Sequence, residues 1–240
     1  MPSYYAPQLQ ADSKILYLEG EEHHHLHRVK RKQAGETILL NSGTGIMAEA
    51  LILTCDKQNC KLQIQSAITH GMSQARFAIA FALLKGHHDE LAVEKCTELG
   101  AAEFFPFTSD YSVRNPGKNT ISRFQKICLS AIKQCDNPYL PVVHEQQDLA
   151  STIERILARA YLPVLCSERE KNLWMKDLDS SRNVCFIIGP EGGFSEAEFE
   201  LMQGLTGISL SPLISRAETA AITAAAQFVG IQADRGQNSL

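Results

Sequence analysis

Val184-Cys185-Phe186-Ile187-Ile188-Gly189-Pro190-Glu191-Gly192-Gly193-Phe194-Ser195 is the stretch on which the fold turns. An unbroken apolar run stops at Gly-Pro-Glu-Gly-Gly. Apolar residues with no polar alternation read as a strand buried on both faces, the habit of a parallel sheet. Ser195-Glu196-Ala197-Glu198 then has capping-box spacing, so a helix should begin at once. Strand, glycine turn and helix N-terminus together make a ligand-binding junction in α/β proteins, because glycines admit close approach and helix amides offer donors. The turn lacks the Gly-Lys-Ser/Thr ending of a phosphate loop and the Gly-x-Gly-x-x-Gly of a dinucleotide site, so phosphate is not the expected ligand.

Working outward, strand and helix alternate after residue 70. Phe77 to Leu84, Ala102 to Phe107, Leu162 to Cys166 and Ile208 to Leu210 read as strands. Asp89 to Leu99 reads as a helix stopped by Gly100, Ile121 to Cys135 as an amphipathic one, and Asp148 as the cap of a third. A last alanine-rich helix starts near Ala217, with Ser215 and Glu218 at capping-box spacing. This pattern predicts a parallel sheet covered on both faces. Before residue 70, Ile15–Leu18, Thr37–Leu40, Ala48–Thr54 and Lys61–Gln65 are short strands separated by turns, which predicts a small antiparallel barrel. The expected boundary gives domains 1–72 and 73–240.

Composition narrows the class. Of 240 residues, 44% are hydrophobic and 21% charged, the balance of a soluble globular protein, and no apolar run is long enough for a bilayer. Met1-Pro2-Ser3-Tyr4-Tyr5 shows no basic segment leading into an apolar core, so no signal peptide and a cytoplasmic location are expected. The seven cysteines (55, 60, 96, 128, 135, 166 and 185) are odd in number and scattered, with no Cys-x-x-Cys, and reduced buried thiols explain them best. A net charge of −4 excludes nucleic-acid binding by overall charge, so RNA would have to be met by a local patch.

One such patch is His23-His24-His25-Leu26-His27-Arg28-Val29-Lys30-Arg31-Lys32, where Arg28, Lys30 and Arg31 cluster. No neighbouring cysteine or carboxylate completes a metal ligand set at a familiar spacing, so no metal is expected there. Leu210-Ser211-Pro212-Leu213-Ile214-Ser215-Arg216-Ala217-Glu218-Thr219-Ala220 is a second irregular segment running into a helix. Arg216 sits where the helix dipole disfavours a cation and so wants a partner, such as a substrate anion or a carboxylate. In Lys85-Gly86-His87-His88-Asp89-Glu90 a strand end meets a helix start, but no nucleophile accompanies the histidines, and hydrolase chemistry has weak support.

Taken together, Lys85-Gly86, Glu94-Lys95-Cys96-Thr97-Glu98-Leu99-Gly100 with Pro106, Ile188 to Ser195, and Arg216-Ala217-Glu218-Thr219-Ala220 closely resemble the RsmE family. These are bacterial 16S rRNA (uridine-N3) methyltransferases of the SPOUT superfamily. His24 to Arg31 with Gly35 matches their opening domain. The resemblance covers nearly the whole chain. It implies an N-terminal PUA-like β-barrel that binds RNA, an α/β SPOUT domain with a C-terminal trefoil knot, a homodimer, and S-adenosylmethionine (SAM) as cofactor. Under that resemblance Leu165, Gly189, Glu191, Gly192, Leu210, Ser211, Leu213 and Ile214 are the candidates for holding SAM. Arg216 and Glu218 are the catalytic candidates. Arg216 would stabilise charge on the uracil, and Glu218 would orient Arg216 or take the N3 proton. His25, Arg28, Lys30 and Arg31 would grip the RNA of the small ribosomal subunit. Ser3, Ser211, Leu213 and Ser215 depart from the family pattern, as does Gln134-Cys135-Asp136-Asn137. These departures keep open a different SPOUT activity on RNA, or a catalytically impaired RNA-binding assembly factor.

Overall fold

The computed structural model describes residues 3–73, 75–112, 117 and 119–237, with side chains to residue 234. The chain divides into two compact units, residues 1–72 with 129–140, and residues 73–128 with 141–240.

The first unit is a five-stranded sheet built from β1 (Tyr4–Tyr5), β2 (Ile15–Leu18), β3 (Thr37–Asn41), β4 (Ile46–Cys55) and β5 (Cys60–Thr69), in the order β1-β3-β4-β5-β2. Only β1 and β3 run parallel. Two register shifts in β4 bend the sheet, and its concave side closes over Leu16, Leu18, Leu26, Ile38, Leu40, Ile52 and Leu62. This antiparallel sheet fits the PUA-like domain that the resemblance implies. Between β2 and β3, α1 (Gly20–His24) passes into a π-helical turn over His25–Val29. Ser3 is buried, and its N–H and hydroxyl both donate to the Lys133 carbonyl, at 2.9 and 3.3 Å. One cysteine expectation needs correcting. Cys55 and Cys60 face each other across the β4–β5 hairpin and are bonded as a disulfide, a pairing that strand register creates and spacing alone did not reveal.

The second unit contains β6 (Phe77–Ala82), α2 (His88–Glu98), β7 (Glu103–Thr108), α3 (Thr120–Cys135), β8 (Val142–Val143), β9 (Gln147–Asp148), α4 (Leu149–Ala158), β10 (Leu162–Cys166), β11 (Val184–Ile188), α5 (Glu196–Leu201), β12 (Thr206–Ile208) and α6 (Ala217–Gln237). The last turns of α3 belong to the first unit. The sheet order is β12-β10-β11-β6-β7-β8, with every pairing parallel and β9 also lying against β7. All residues of β6 and β11 are buried, as the unbroken apolar runs required. Alternate residues feed opposite faces. Ala80, Phe105, Phe107, Cys185 and Ile187 pack under α4 and α5 with Ile156 and Phe194. Phe77 and Phe186 meet Phe228 of α6, and Phe81 meets both Phe124 of α3 and Phe104 of β7, in edge-to-face pairs with centroids 5.6–6.3 Å apart.

Local signals were read correctly at most junctions. Gly100 follows α2 with φ +90°, and the Asp148 carboxylate accepts the Ser151 N–H at 2.8 Å. Ser195 and Glu198 form the expected reciprocal capping box. The box expected at Ser215 does not form. Helix α6 begins at Ala217, and its first backbone bond runs from the Ala220 N–H to the Arg216 carbonyl, so Arg216 occupies the cap position. The side chain of Glu218 is turned to another partner, described below.

Burial is offset by charge at one place in the sheet. Glu103, 2% exposed, accepts both Nε and Nη2 of Arg159 at 2.8 Å, lies 2.7 Å from His144 Nε2, and accepts the Tyr161 hydroxyl at 3.2 Å. Burial disfavours its ionised form, but the hydrogen bonds from His144 and Arg159 and their charges outweigh it and pull the carboxyl down to about 2. A depressed carboxylate stabilises the fold fully above its unfolded value near 4.5, and that contribution drains away as pH falls toward 2. We expect Glu103→Gln to cost roughly 3 kcal/mol in urea denaturation at pH 7, with the gap to the parent protein closing between pH 4.5 and 2. A pH-independent gap would contradict this.

Candidate functional site

The C-terminal ends of β10, β11 and β6 emerge on one side of the sheet, where parallel α/β proteins place their ligands. The glycine turn after β11 and the irregular segment before α6 meet there. Between them lies a cleft of about 410 Å³ lined by Cys166, Gly189, Gly192, Ile214, Arg216 and Ala220 among others. It is within the size range of small-molecule sites. A smaller recess of about 60 Å³ continues along Leu210, Ser211, Leu213 and Ile214 and shares Cys166, Ser167 and Ala220 with the cleft.

Glycine is required at two points of this turn. A Cβ on Gly189 would stand 2.8 Å from the Phe194 ring, and one on Gly192 would stand 3.0 Å from Cβ of Tyr111. The Phe194 ring is itself held, stacked on Phe107 at 6.2 Å and edge-on to Phe199 at 5.8 Å. The turn is tied to its surroundings by side chains. Glu191 accepts the Lys85 N–H at 2.9 Å, which links it to the end of β6. Ser195 donates to Asp110 at 2.5 Å, and Glu198 accepts the Asp110 N–H at 3.1 Å.

The opposite wall is braced too. Ser209 N–H donates to the Leu173 carbonyl at 2.8 Å, Gln227 donates to the Leu210 carbonyl at 3.0 Å, and the Ser211 hydroxyl accepts the Leu213 N–H at 3.1 Å. The Ser211 hydroxyl therefore orders the segment. Leu213 and Ile214 are left 77% and 85% exposed, the two most exposed large apolar side chains described. Burial pushes the Cys166 thiol upward, so it lines the wall as a neutral group.

Seven of the eight residues expected to hold a ligand therefore line these two connected hollows: Gly189, Glu191, Gly192, Leu210, Ser211, Leu213 and Ile214. Leu165 instead points into the core beneath, and the next residue of the strand, Cys166, reaches the cleft. Arg216 is exposed at the cleft and has no ion-pair partner among the described residues. Glu218, 7% exposed, lies with Oε1 3.2 Å from Nδ1 of His88. His88 follows two consecutive left-handed residues, Gly86 at φ +58° and His87 at φ +64°. A non-glycine residue held there is backbone strain of the kind that gathers at functional sites. The sequence signal was present in Lys85-Gly86-His87-His88, but its partner lies in α6. Away from this site, Arg28 within the π turn and Lys30 and Arg31 just after it are exposed, and His25 packs against the Tyr4 ring with centroids 5.8 Å apart.

A sequence profile described as the RNA methyltransferase domain matches residues 71–229. The chain belongs to this family. As an RNA methyltransferase domain it is similar to "Ribosomal RNA small subunit methyltransferase E" of Rickettsia conorii, 29% identical over 235 residues and 93% of each chain. The protein of that name from Synechocystis is 28% identical over 85% of this chain and 69% of its own length. A Legionella pneumophila methyltransferase solved with bound SAM superposes with a TM-score of 0.83, at 26% identity over 95% of this chain and 97% of its own. The Neisseria gonorrhoeae methyltransferase E bound to S-adenosyl methionine shares the fold, with a TM-score of 0.85 at 23% identity over 96% and 98%. The motif resemblance is thus borne out by the RNA methyltransferase profile and by these relatives.

For the turn itself we expect Gly189→Ala to cost about 1–3 kcal/mol in urea denaturation, because a ring packed on two others must move. Unchanged stability would show that Phe194 has room to yield.

Proposed function

We propose that this protein methylates N3 of a uridine in the 16S rRNA of the small ribosomal subunit, with SAM as donor, acting as a cytoplasmic homodimer. The observation that carries this reading is the single cleft formed by the glycine turn and the 209–217 segment in an RNA methyltransferase domain. SAM, when bound, supplies a methyl group already activated on a sulfonium. The residues present suit it. Gly189 and Gly192 let the turn pack against Phe194 and Tyr111, which a Cβ would crowd, and both glycines line the cleft. Leu213 and Ile214 offer uncovered apolar surface, and the backbone on both sides offers amide and carbonyl groups. Glu191 positions the turn, Leu210 and Ser211 form the facing wall, and Leu165 supports it from below. The C-terminal trefoil knot of SPOUT enzymes belongs to this reading. So does the division into an RNA-binding domain, 1–72, and a methyltransferase domain, 73–240.

Uridine N3 carries a proton and is a poor nucleophile until that proton leaves. Arg216, a cation at the cleft with no ion-pair partner among the described residues, stabilises the negative charge that then develops on the uracil oxygens. Glu218 takes the proton. Its contact with His88 supports this role over an orienting role toward Arg216, since the carboxylate is already engaged by an imidazole that opens to solvent. N3 lies on the Watson–Crick edge, so the base must be unpaired or flipped. His25, Arg28, Lys30 and Arg31 supply cations for nearby phosphates.

Arg216→Ala should lower methyl transfer to small subunits on the order of a hundredfold, while calorimetry finds SAM affinity within a few-fold of the parent. Parent-level turnover would remove Arg216 from the chemistry. In cells lacking the protein, primer extension on 16S rRNA should lose one reverse-transcriptase stop, since a methyl at N3 blocks pairing. An unchanged stop pattern would instead favour the assembly-factor reading.

A further inference from the structure

The histidine-rich helix lacked a ligand partner in sequence, but the fold supplies one. His23 and His27 are four residues apart across α1 and the π turn, and their rings stack 5.5 Å apart and 11° from parallel. Beside them is the tip of the β4–β5 hairpin, where Cys55 and Cys60 are direct cross-strand partners. One ligand atom each from His23, Cys55 and Cys60 lie within 4.8 Å of one another. Sγ of Cys55 is 3.7 Å from Nδ1 of His27. Ligand atoms around one tetrahedral zinc, at 2.0–2.3 Å from it, sit roughly 3.3–3.8 Å apart.

We propose that His23, His27, Cys55 and Cys60, with both cysteines as thiols, form a tetrahedral binding site for a zinc ion. A disulfide satisfies the two sulfurs but gives no account of the imidazoles beside them, His23 within 4.8 Å of both sulfurs and His27 3.7 Å from Cys55. Two soft sulfurs with two imidazole nitrogens in a closed, four-ligand set select zinc over the oxygen-seeking cations. Binding releases one proton from each thiol, two per ion, and the imidazoles bind neutral, so the occupied site adds no net charge.

The surroundings suit such a site. Nε2 of His23 donates to the Asp56 carbonyl at 3.0 Å, which leaves Nδ1 as the lone-pair nitrogen and orients the ring, as outer-sphere partners of zinc-bound histidines do. The hairpin tip is rigid, since Asp56 accepts the N–H groups of Gln58 and Asn59 at 2.8 and 3.1 Å. Cys60 and His23 are buried, while Cys55 and His27 are half-buried, so the cluster is shielded without being sealed. The ion would clamp the helical segment to the hairpin immediately before Arg28, Lys30 and Arg31. The site is structural and independent of the methyl-transfer chemistry.

The test uses the full chain purified with a thiol reductant and without chelator. Elemental analysis should find about one zinc per chain. The stripped protein should take up cobalt with the visible spectrum of a tetrahedral thiolate site. Cys55→Ser/Cys60→Ser should lose both signals, and zinc should raise the Tm of the parent protein but not of the variant. The proposal is overturned if the reduced parent protein holds no zinc and gives no such cobalt spectrum, or if its intact mass shows the disulfide still formed under reductant. Full zinc retention in the double serine variant also overturns it. The parent measurements decide the matter even if that variant does not fold.

Discussion

The Phe194 ring lies against the α-carbon of Gly189, and the shape of the cleft depends on that contact. Because the ring sits there, β11 can end and the chain can reverse within a few residues to start α5. Because Gly189 has no side chain, the ring can pack this close to the turn. The ring is fixed by Phe107 and Phe199, and so β7 and α5 set the position of the turn as much as β11 does. Glu191 then carries the constraint to the end of β6 through the Lys85 amide. Three neighbouring strand ends are thereby held at one level, and the 209–217 segment closes against them.

Charge is distributed unevenly through this arrangement. One buried carboxylate, Glu103, is fully met by Arg159, His144 and Tyr161 and holds the sheet together. At the cleft Arg216 has no ionic partner among the described residues, while two positions further along Glu218 is engaged by His88. An arginine at a helix cap runs against the dipole. Arg216 is thus a cation at the cleft wall that can meet an incoming anion.

What the sequence revealed followed the range of each signal. Strands β6 and β11, the capping box at Ser195, the Asp148 cap and the Gly100 stop all rest on residues within a few positions of one another, and each was legible. Ser215 was misread by one position because a tertiary contact, Glu218 with His88, overrode the local capping pattern. Leu165 was assigned to the cleft wall because a strand end alone does not say which face a side chain takes. The Glu103 cluster joins residues 41 to 58 positions apart, and the Cys55–His27 contact spans 28, beyond any motif. The glycine turn was legible because its tight packing against Phe194 and Tyr111 demands a backbone that only a few residue types permit.

The strand at the centre of the second sheet, β11, is synthesised after its neighbours β6 and β10. Arg76 and Asn183 hydrogen-bond across 107 residues of sequence to seat β11 between β6 and β10. While the polypeptide is still emerging from the ribosome, β6 and β10 have no neighbour at the position β11 will fill. The sheet therefore closes as a late insertion rather than by growth from one end, which makes for slow, non-local folding. Until translation has passed Ile188 the nascent chain exposes two apolar edges, and its solubility in that interval depends on whatever shelters them.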